Sequence, residues 1–319
     1  MAETSLEARR LTKTFGTRTA VDGVTFTAEP REIVGLLGPN GAGKTTTIRL
    51  LTTVLTPTSG EFSVAGVPSS RPNEIRRRVG VLPESAGYPA HQTGREHLTY
   101  FARLFGMSRS ESSRVATRLL EQMGLQDRAS SPLSTYSRGM RQRLGIARAM
   151  VNDPDVVFLD EPTLGLDPAG QRQVLRNVRD IAADRGATVI LSTHTLTEVE
   201  EVCNRVLILG EGRVLVSGTV AEITSAVAAP RFATLRVPGS EVGAARQVLA
   251  GLQGLTIAAS GERPDVLRIS RSGRDGMNPV LRALLAADVT VLSFEVEGTR
   301  LHDAYLALTG DATVEEPSE

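Results

Sequence analysis

A single cysteine, Cys203, in 319 residues excludes an intrachain disulfide and fits a reducing compartment. Charge of one sign is not in excess either: 36 Lys+Arg face 36 Asp+Glu. A general nucleic-acid binder needs surplus cations to displace counterions, so no nucleic-acid partner is expected. Nowhere do about 18 uncharged apolar residues run together, so no transmembrane helix is expected. The opening segment MAETSLEARR has Glu3 and Glu7 and no apolar centre, so no secretory signal is expected there. Internal repeats and sustained heptads are missing as well. What remains is a chain 40% apolar and 23% charged, long enough for about two globular domains. Any work at a membrane is then expected to proceed by docking onto something that spans it.

Two textures divide the chain. Residues 1 to about 225 alternate short apolar runs with helical patterns, which predicts an α/β domain. Strands are expected at Glu32–Leu37, Arg78–Leu82, Val156–Leu159, Ala187–Ser192 and Arg205–Leu209. The near-continuous apolar runs among them suit a parallel sheet buried on both faces. A helical insertion, about 88–150, carries Leu98, Phe101, Ala102 and Phe105 at i, i+3, i+4, i+7. Val227–Pro230 reads as a linker. Residues 230–310 then read βαββαβ, a small ferredoxin-like α+β domain. Its strands are expected at Phe232–Val237, Leu255–Ala259, Val266–Ser270 and Val289–Glu295, its helices at Val242–Leu252, Pro279–Ala287 and Leu301–Leu308. Its core is expected from Leu235, Val237, Val248, Leu252, Val266, Ile269, Leu281, Leu284, Val291 and Phe294. Residues 311–319, acidic and with Pro317, are expected to be disordered.

Gly38, Pro39, Asn40, Gly41, Ala42, Gly43, Lys44 and Thr45 match GxxxxGK[ST] without a mismatch, between a strand and a helical pattern opening at Thr46. Glycines let backbone N–H groups turn inward around phosphate, and the following helix presents a positive dipole end. These residues through Thr46 are the candidate nucleotide cradle, with Lys44 reaching the β- and γ-phosphates and the Thr45 hydroxyl on Mg²⁺. The apolar run Val156–Leu159 ends in Asp160 and Glu161. Asp160 suits Mg²⁺, which keeps several waters and takes few protein oxygens. Glu161 is placed to orient or deprotonate an attacking water. The plainer alternative is a solvated acidic turn. His194 closes the strand ending in Leu-Ser-Thr, where it is either a cap or a catalytic group. Its place after a further buried strand favours the latter, because loops at the carboxyl ends of parallel strands converge on ligand.

Together these residues resemble the nucleotide-binding subunits of ATP-binding cassette (ABC) transporters. The fold class is then a P-loop ABC ATPase domain with a helical subdomain, followed by the small C-terminal domain. Tyr136-Ser137-Arg138-Gly139-Met140 looks like a variant cassette signature, and Pro162–Asp167 like the segment ending in the D-loop. His194 matches the switch histidine, and Phe15 the A-loop aromatic that stacks on adenine. The resemblance implies a head-to-tail homodimer around two ATP, with Ser137 and Gly139 of one subunit facing the other's γ-phosphate. Asp167 would lie near the dimer seam. Glu84 stands where the family has its Q-loop glutamine and is expected on the metal side, with Thr45 and Asp160.

The Leu-Pro-Glu and Tyr-Ser-Arg-Gly-Met variants and Arg300–Gly310 resemble a bacterial drug-resistance and sodium-export subgroup. The implied partners are integral membrane permease subunits of the ABC-2 kind, and the implied place is the cytoplasmic face of the membrane. ATP hydrolysis would drive export through those subunits. The C-terminal domain, without a phosphate-type glycine loop or His/Cys cluster, is expected to support dimerisation or regulation. Two rivals stay open: a soluble mechanochemical ATPase, and an ATP-sensing module whose C-terminal domain binds the effector.

Overall fold

A computed structural model of the chain describes residues 4–85, 87–226, 231–258, 264–271, 277–297, 301 and 305. It divides into two compact units, Met1–Val220 and Ala221–Glu319. In the first, β1 (Leu6–Phe15) and β2 (Arg18–Ala28) pair antiparallel, and β3 (Ile33–Leu37) runs into the glycine loop. After α1 (Lys44–Leu51) come β4 (Ser59–Val64) and β5 (Val67–Pro68). These close an antiparallel sheet of order β2-β1-β4-β5, which the sequence pattern had not suggested. Leu6, Ala8, Leu11, Val21, Val24 and Phe26 are among its buried positions, alternating except where the register shifts near Leu11.

A short helix, α2 (Pro72–Arg78), leads to β6 (Val79–Leu82). The helical part follows: α3 (Gly94–Leu104), α4 (Arg109–Gln122) and α5 (Arg138–Ala149). Capping boxes at Thr93/Glu96 and Ser108/Glu111 start α3 and α4 by satisfying the free N–H groups of their first turns. Leu98 and Ala102 are buried against the helical core, but Phe105 is not. It is the C-cap of α3 and stands 44% exposed, so the apolar stripe ends one turn early.

The remaining elements of this unit are β7 (Val156–Asp160), α6 (Pro168–Arg185), β8 (Thr188–Thr193), α7 (Leu196–Val202), β9 (Arg205–Gly210) and β10 (Arg213–Thr219). At the unit boundary α8 (Val220–Ala226) begins. The central sheet has the order β10-β9-β3-β8-β7-β6, parallel except for β10 on β9. Every residue of β3, β7 and β8 is buried, as helices on both faces require. Because β3, β8 and β7 are neighbours, the segments leaving their carboxyl ends meet at one edge: Gly38–Thr45, Asp160–Glu161 and His194.

The second unit holds β11 (Arg231–Arg236), α9 (Val242–Ala250), β12 (Leu255–Ala258), β13 (Val266–Arg271), α10 (Asn278–Ala286) and β14 (Ser293–Glu297). Its sheet order is β12-β13-β11-β14, antiparallel throughout, the ferredoxin-like arrangement of a βαββαβ chain. The last strand corrects the expectation of Val289–Glu295. Asp288 is left-handed (φ 61°) and the Val289 N–H donates to Leu284 O, so these residues terminate α10. Pairing with β11 begins only at Ser293. Leu301 and Tyr305 are helical and buried. The linker at 227–230, the rest of the final helix and the tail at 311–319 lie outside the described residues.

Candidate active site

Glycine at 43 is required by two facts. It caps α1 with φ 102°, and a Cβ there would stand 2.6 Å from the Ala20 carbonyl oxygen. The helix therefore opens at Lys44, two residues before the pattern suggested, and no side chain caps its first turn. The Lys44 ammonium is buried and donates to Gly38 O at 2.6 Å and Pro39 O at 3.3 Å, folding back over the loop. It also lies 3.5 Å from Glu161 Oε1.

Glu161 follows β7 in a left-handed conformation, φ 49°, unusual for a non-glycine residue and a form of strain found at functional sites. Its N–H donates to Ser192 O and to Ser192 Oγ, the latter at 2.9 Å, which fixes the turn. The carboxylate is 8% exposed, with Oε2 2.9 Å from His194 Nδ1. That hydrogen bond raises the His194 pKa against the opposing effect of burial. The carboxylate is thus held between an ammonium and an imidazole.

Asp160 forms a second line. Its Oδ1 accepts from Thr45 Oγ1 at 3.1 Å and from Ser192 Oγ at 2.6 Å. Ser192 was missed from sequence. The signal was a hydroxyl following the apolar run Val189–Leu191, in register with Asp160 across β7 and β8. Glu198 was missed too. It is buried on α7, accepts from Thr193 Oγ1 at 2.8 Å, and burial raises its pKa. Cys203 packs beside Gly35, and burial pushes its thiol up to about 12.

A cavity of about 500 Å³ opens over the loop, lined by Phe15, Arg18, Ala20, residues 39–46, Glu84 and Glu161. Phe15 is 47% exposed, and the Lys13 ammonium lies 5.2 Å from its ring centroid. Glu84 is exposed on the cavity wall. Arg18 was not picked out from sequence.

Ser137, Gly139 and Asp167 do not line this cavity. Ser137 is the N-cap of α5, accepting from the Met140 N–H at 3.2 Å. Asp167 caps α6 through the Gly170 N–H at 3.1 Å. The two helix starts are neighbours. Gly165 (φ 68°) lies under the Arg138 guanidinium, and a Cβ there would stand 2.5 Å from Arg138 Cζ. Arg138 occupies the signature position where glycine is usual.

Among the described residues no three His, Cys, Asp or Glu side chains form a metal cluster, and no helix is long and apolar enough to cross a membrane. The family described as "ABC transporter" matches residues 21–164. The chain is 36% identical to the daunorubicin/doxorubicin resistance ATP-binding protein DrrA of Streptomyces peucetius, over 99% of this chain and 96% of that protein. It is 35% identical to the Nod factor export ATP-binding protein I of Burkholderia lata, over 96% and 97%. A solved ATP-binding subunit of an ABC transporter, 35% identical, superposes with a TM-score of 0.62 over 69% of this chain and 92% of that one. A dimeric ATP-binding cassette bound to ADP and Pi gives the same score at 24% identity, a likeness of fold alone.

Proposed function

The chain belongs to the ABC transporter family of ATP-binding subunits, and on that premise we propose that it binds and hydrolyses MgATP as a head-to-tail homodimer and powers export through separate membrane subunits. One observation carries the reading: an ion pair from Lys44 to Glu161 and a hydrogen bond from Glu161 to His194 form one line beside a second, hydrogen-bonded line of Thr45, Asp160 and Ser192. Relatives matched along nearly the whole chain are named for drug resistance and Nod factor export. Those names support export as the work this subunit powers, with selection of the cargo left to the membrane partner. The working position is then the cytoplasmic face of that partner.

Lys44 exchanges the Gly38 and Pro39 carbonyls for β- and γ-phosphate oxygens, and the ring of Phe15 offers a face to adenine. The hard oxygens of Thr45 and Asp160, with Glu84 on the wall, fit Mg²⁺, whose remaining positions phosphate and water would fill. When bound, Mg²⁺ neutralises charge that develops on the phosphates. Glu161 orients and deprotonates the attacking water. His194 fixes its carboxylate by holding a proton on Nδ1. Ser137, with its oxygen accepting from Met140, keeps its hydroxyl hydrogen free to donate to a phosphate across the dimer. Gly139 allows the α5 N-terminus to approach that phosphate closely. Asp167, one oxygen taken by α6, stands at the same seam. The second unit supports the dimer.

Steady-state turnover and sedimentation with MgATP test this reading. Glu161→Gln is expected to keep ATP binding, slow hydrolysis by about 10²-fold or more and accumulate an ATP-bound dimer. Wild-type turnover in that variant removes Glu161 as the base.

A further inference from the structure

The β1–β2 hairpin brings a second cation to the nucleotide cavity. Phe15 and Arg18 are register partners across its two-residue turn, so their side chains leave the same face. Both line the cavity. An Arg18 Nη nitrogen lies 3.6 Å from where a Cβ on Gly41 would be, so the guanidinium rests over the crown of the phosphate loop. The two lining cations differ in their commitments. Lys44 is held by Gly38, Pro39 and Glu161, whereas Arg18 takes part in no ion pair or side-chain hydrogen bond among the described residues. The lining carboxylates, Glu84 and Glu161, balance these two cations. Without Arg18 the wall would face a polyanion with a net negative charge.

We propose that Arg18 is a nucleotide-binding residue whose guanidinium takes polyphosphate oxygens above the crown of the loop, next to the base platform of Phe15. The assignment rests on the cavity being the ATP site and adds a contact that the phosphate-loop motif does not contain. A planar fork can hold two phosphate oxygens at once, which a lysine ammonium cannot reproduce in geometry. Arg18 therefore selects nucleotides by their phosphates rather than by their base.

The test is calorimetric titration of the full chain with MgATP, MgADP and adenosine, for wild type, Arg18→Gln and Arg18→Lys, at low and high salt. Arg18 is exposed, so the variants are expected to melt with the wild type. Arg18→Gln is expected to weaken MgATP about 5- to 30-fold and to leave adenosine unchanged. MgADP should weaken as well, Arg18→Lys should recover part of the loss, and high salt should narrow the gap. MgATP affinity within about twofold of wild type in Arg18→Gln overturns the assignment. So does an equal loss for adenosine, which would put Arg18 in the base platform. Wild type that binds no MgATP overturns the cavity reading and this one with it. Wild type that binds, beside an unchanged variant, overturns this one alone.

Discussion

The two units differ in what they bury. Among the described residues, every buried polar or charged side chain lies before residue 221, including Lys44, Asp160, Glu161, Ser192 and Glu198. The buried residues of the second unit are apolar, from Ala233 and Leu235 to Leu301, with Tyr305 alone carrying a hydroxyl. Burying a charge is costly unless it is paired and hydrogen-bonded. The buried charges of the first unit, Lys44, Asp160, Glu161 and Glu198, carry that cost, and each has a hydrogen-bond or ion-pair partner. The described interior of the second is apolar packing, which fits the proposed division of chemistry to the first unit and support to the second.

The sharpest way to break this division is to remove charge from the first interior. Lys44→Ala should weaken ATP binding by about 10²-fold or more, since the phosphates lose their buried counter-charge. The unfolding of the second unit should be untouched, which differential scanning of this variant beside the wild type would show. The reverse experiment enlarges a cavity in the second interior. Leu249→Ala should destabilise that unit by about 2–4 kcal/mol and leave ATP affinity as it was. Coupled loss of nucleotide binding would mean that the interiors are not independent.

A smaller effect comes from acid. Burial, helped by the nearby Arg148 charge, lowers the His97 pKa to about 4, and the ring is 2% exposed. It packs between Tyr88 and Phe101, and its Nε2 has no partner. The folded state thus binds fewer protons than the unfolded state between about pH 4 and 6.5. Stability contributed by neutral His97 is present above the unfolded value and lost as pH falls towards 4. Denaturant unfolding at pH 7 and pH 5 should differ by about 1–3 kcal/mol in the first unit, and His97→Gln should flatten that slope. The smallest effect concerns Glu84. Glu84→Gln, which keeps an oxygen, should leave turnover near wild type, while Glu84→Ala should raise the Mg²⁺ requirement a few-fold, about the weight of one oxygen ligand. Equal Mg²⁺ titrations would take Glu84 out of the metal site.

What the sequence made legible follows the strength of local signals. The buried strands of the central sheet were readable to within a residue, because parallel strands are apolar throughout. The phosphate loop and the paired acids were readable because a fixed spacing sets their chemistry. The antiparallel sheet of β1, β2, β4 and β5 was not, since its alternation is interrupted by register shifts near Leu11. Ser192 escaped because β8 also carries Thr188 and Thr193, so one more hydroxyl reads as an ordinary strand residue. In the second unit the strand expected from Val266 to Ser270 was found, but with Leu267 and Ile269 inward rather than Val266. A period of two leaves the face undecided when both faces carry apolar residues. Ala233 and Ala245, which complete that core, are too small to signal burial on their own.

Arg138 and Gly165 stand 27 residues apart in sequence, by the difference of their numbers, and in the fold they share one volume. A side chain at 165 would push aside the guanidinium at the tip of the flexible Arg138 stem, so it is the left-handed backbone (φ 68°) that holds glycine there. The arginine in the signature in turn occupies the room that the missing side chain leaves, laying a cation from the start of α5 onto the turn that leads into α6.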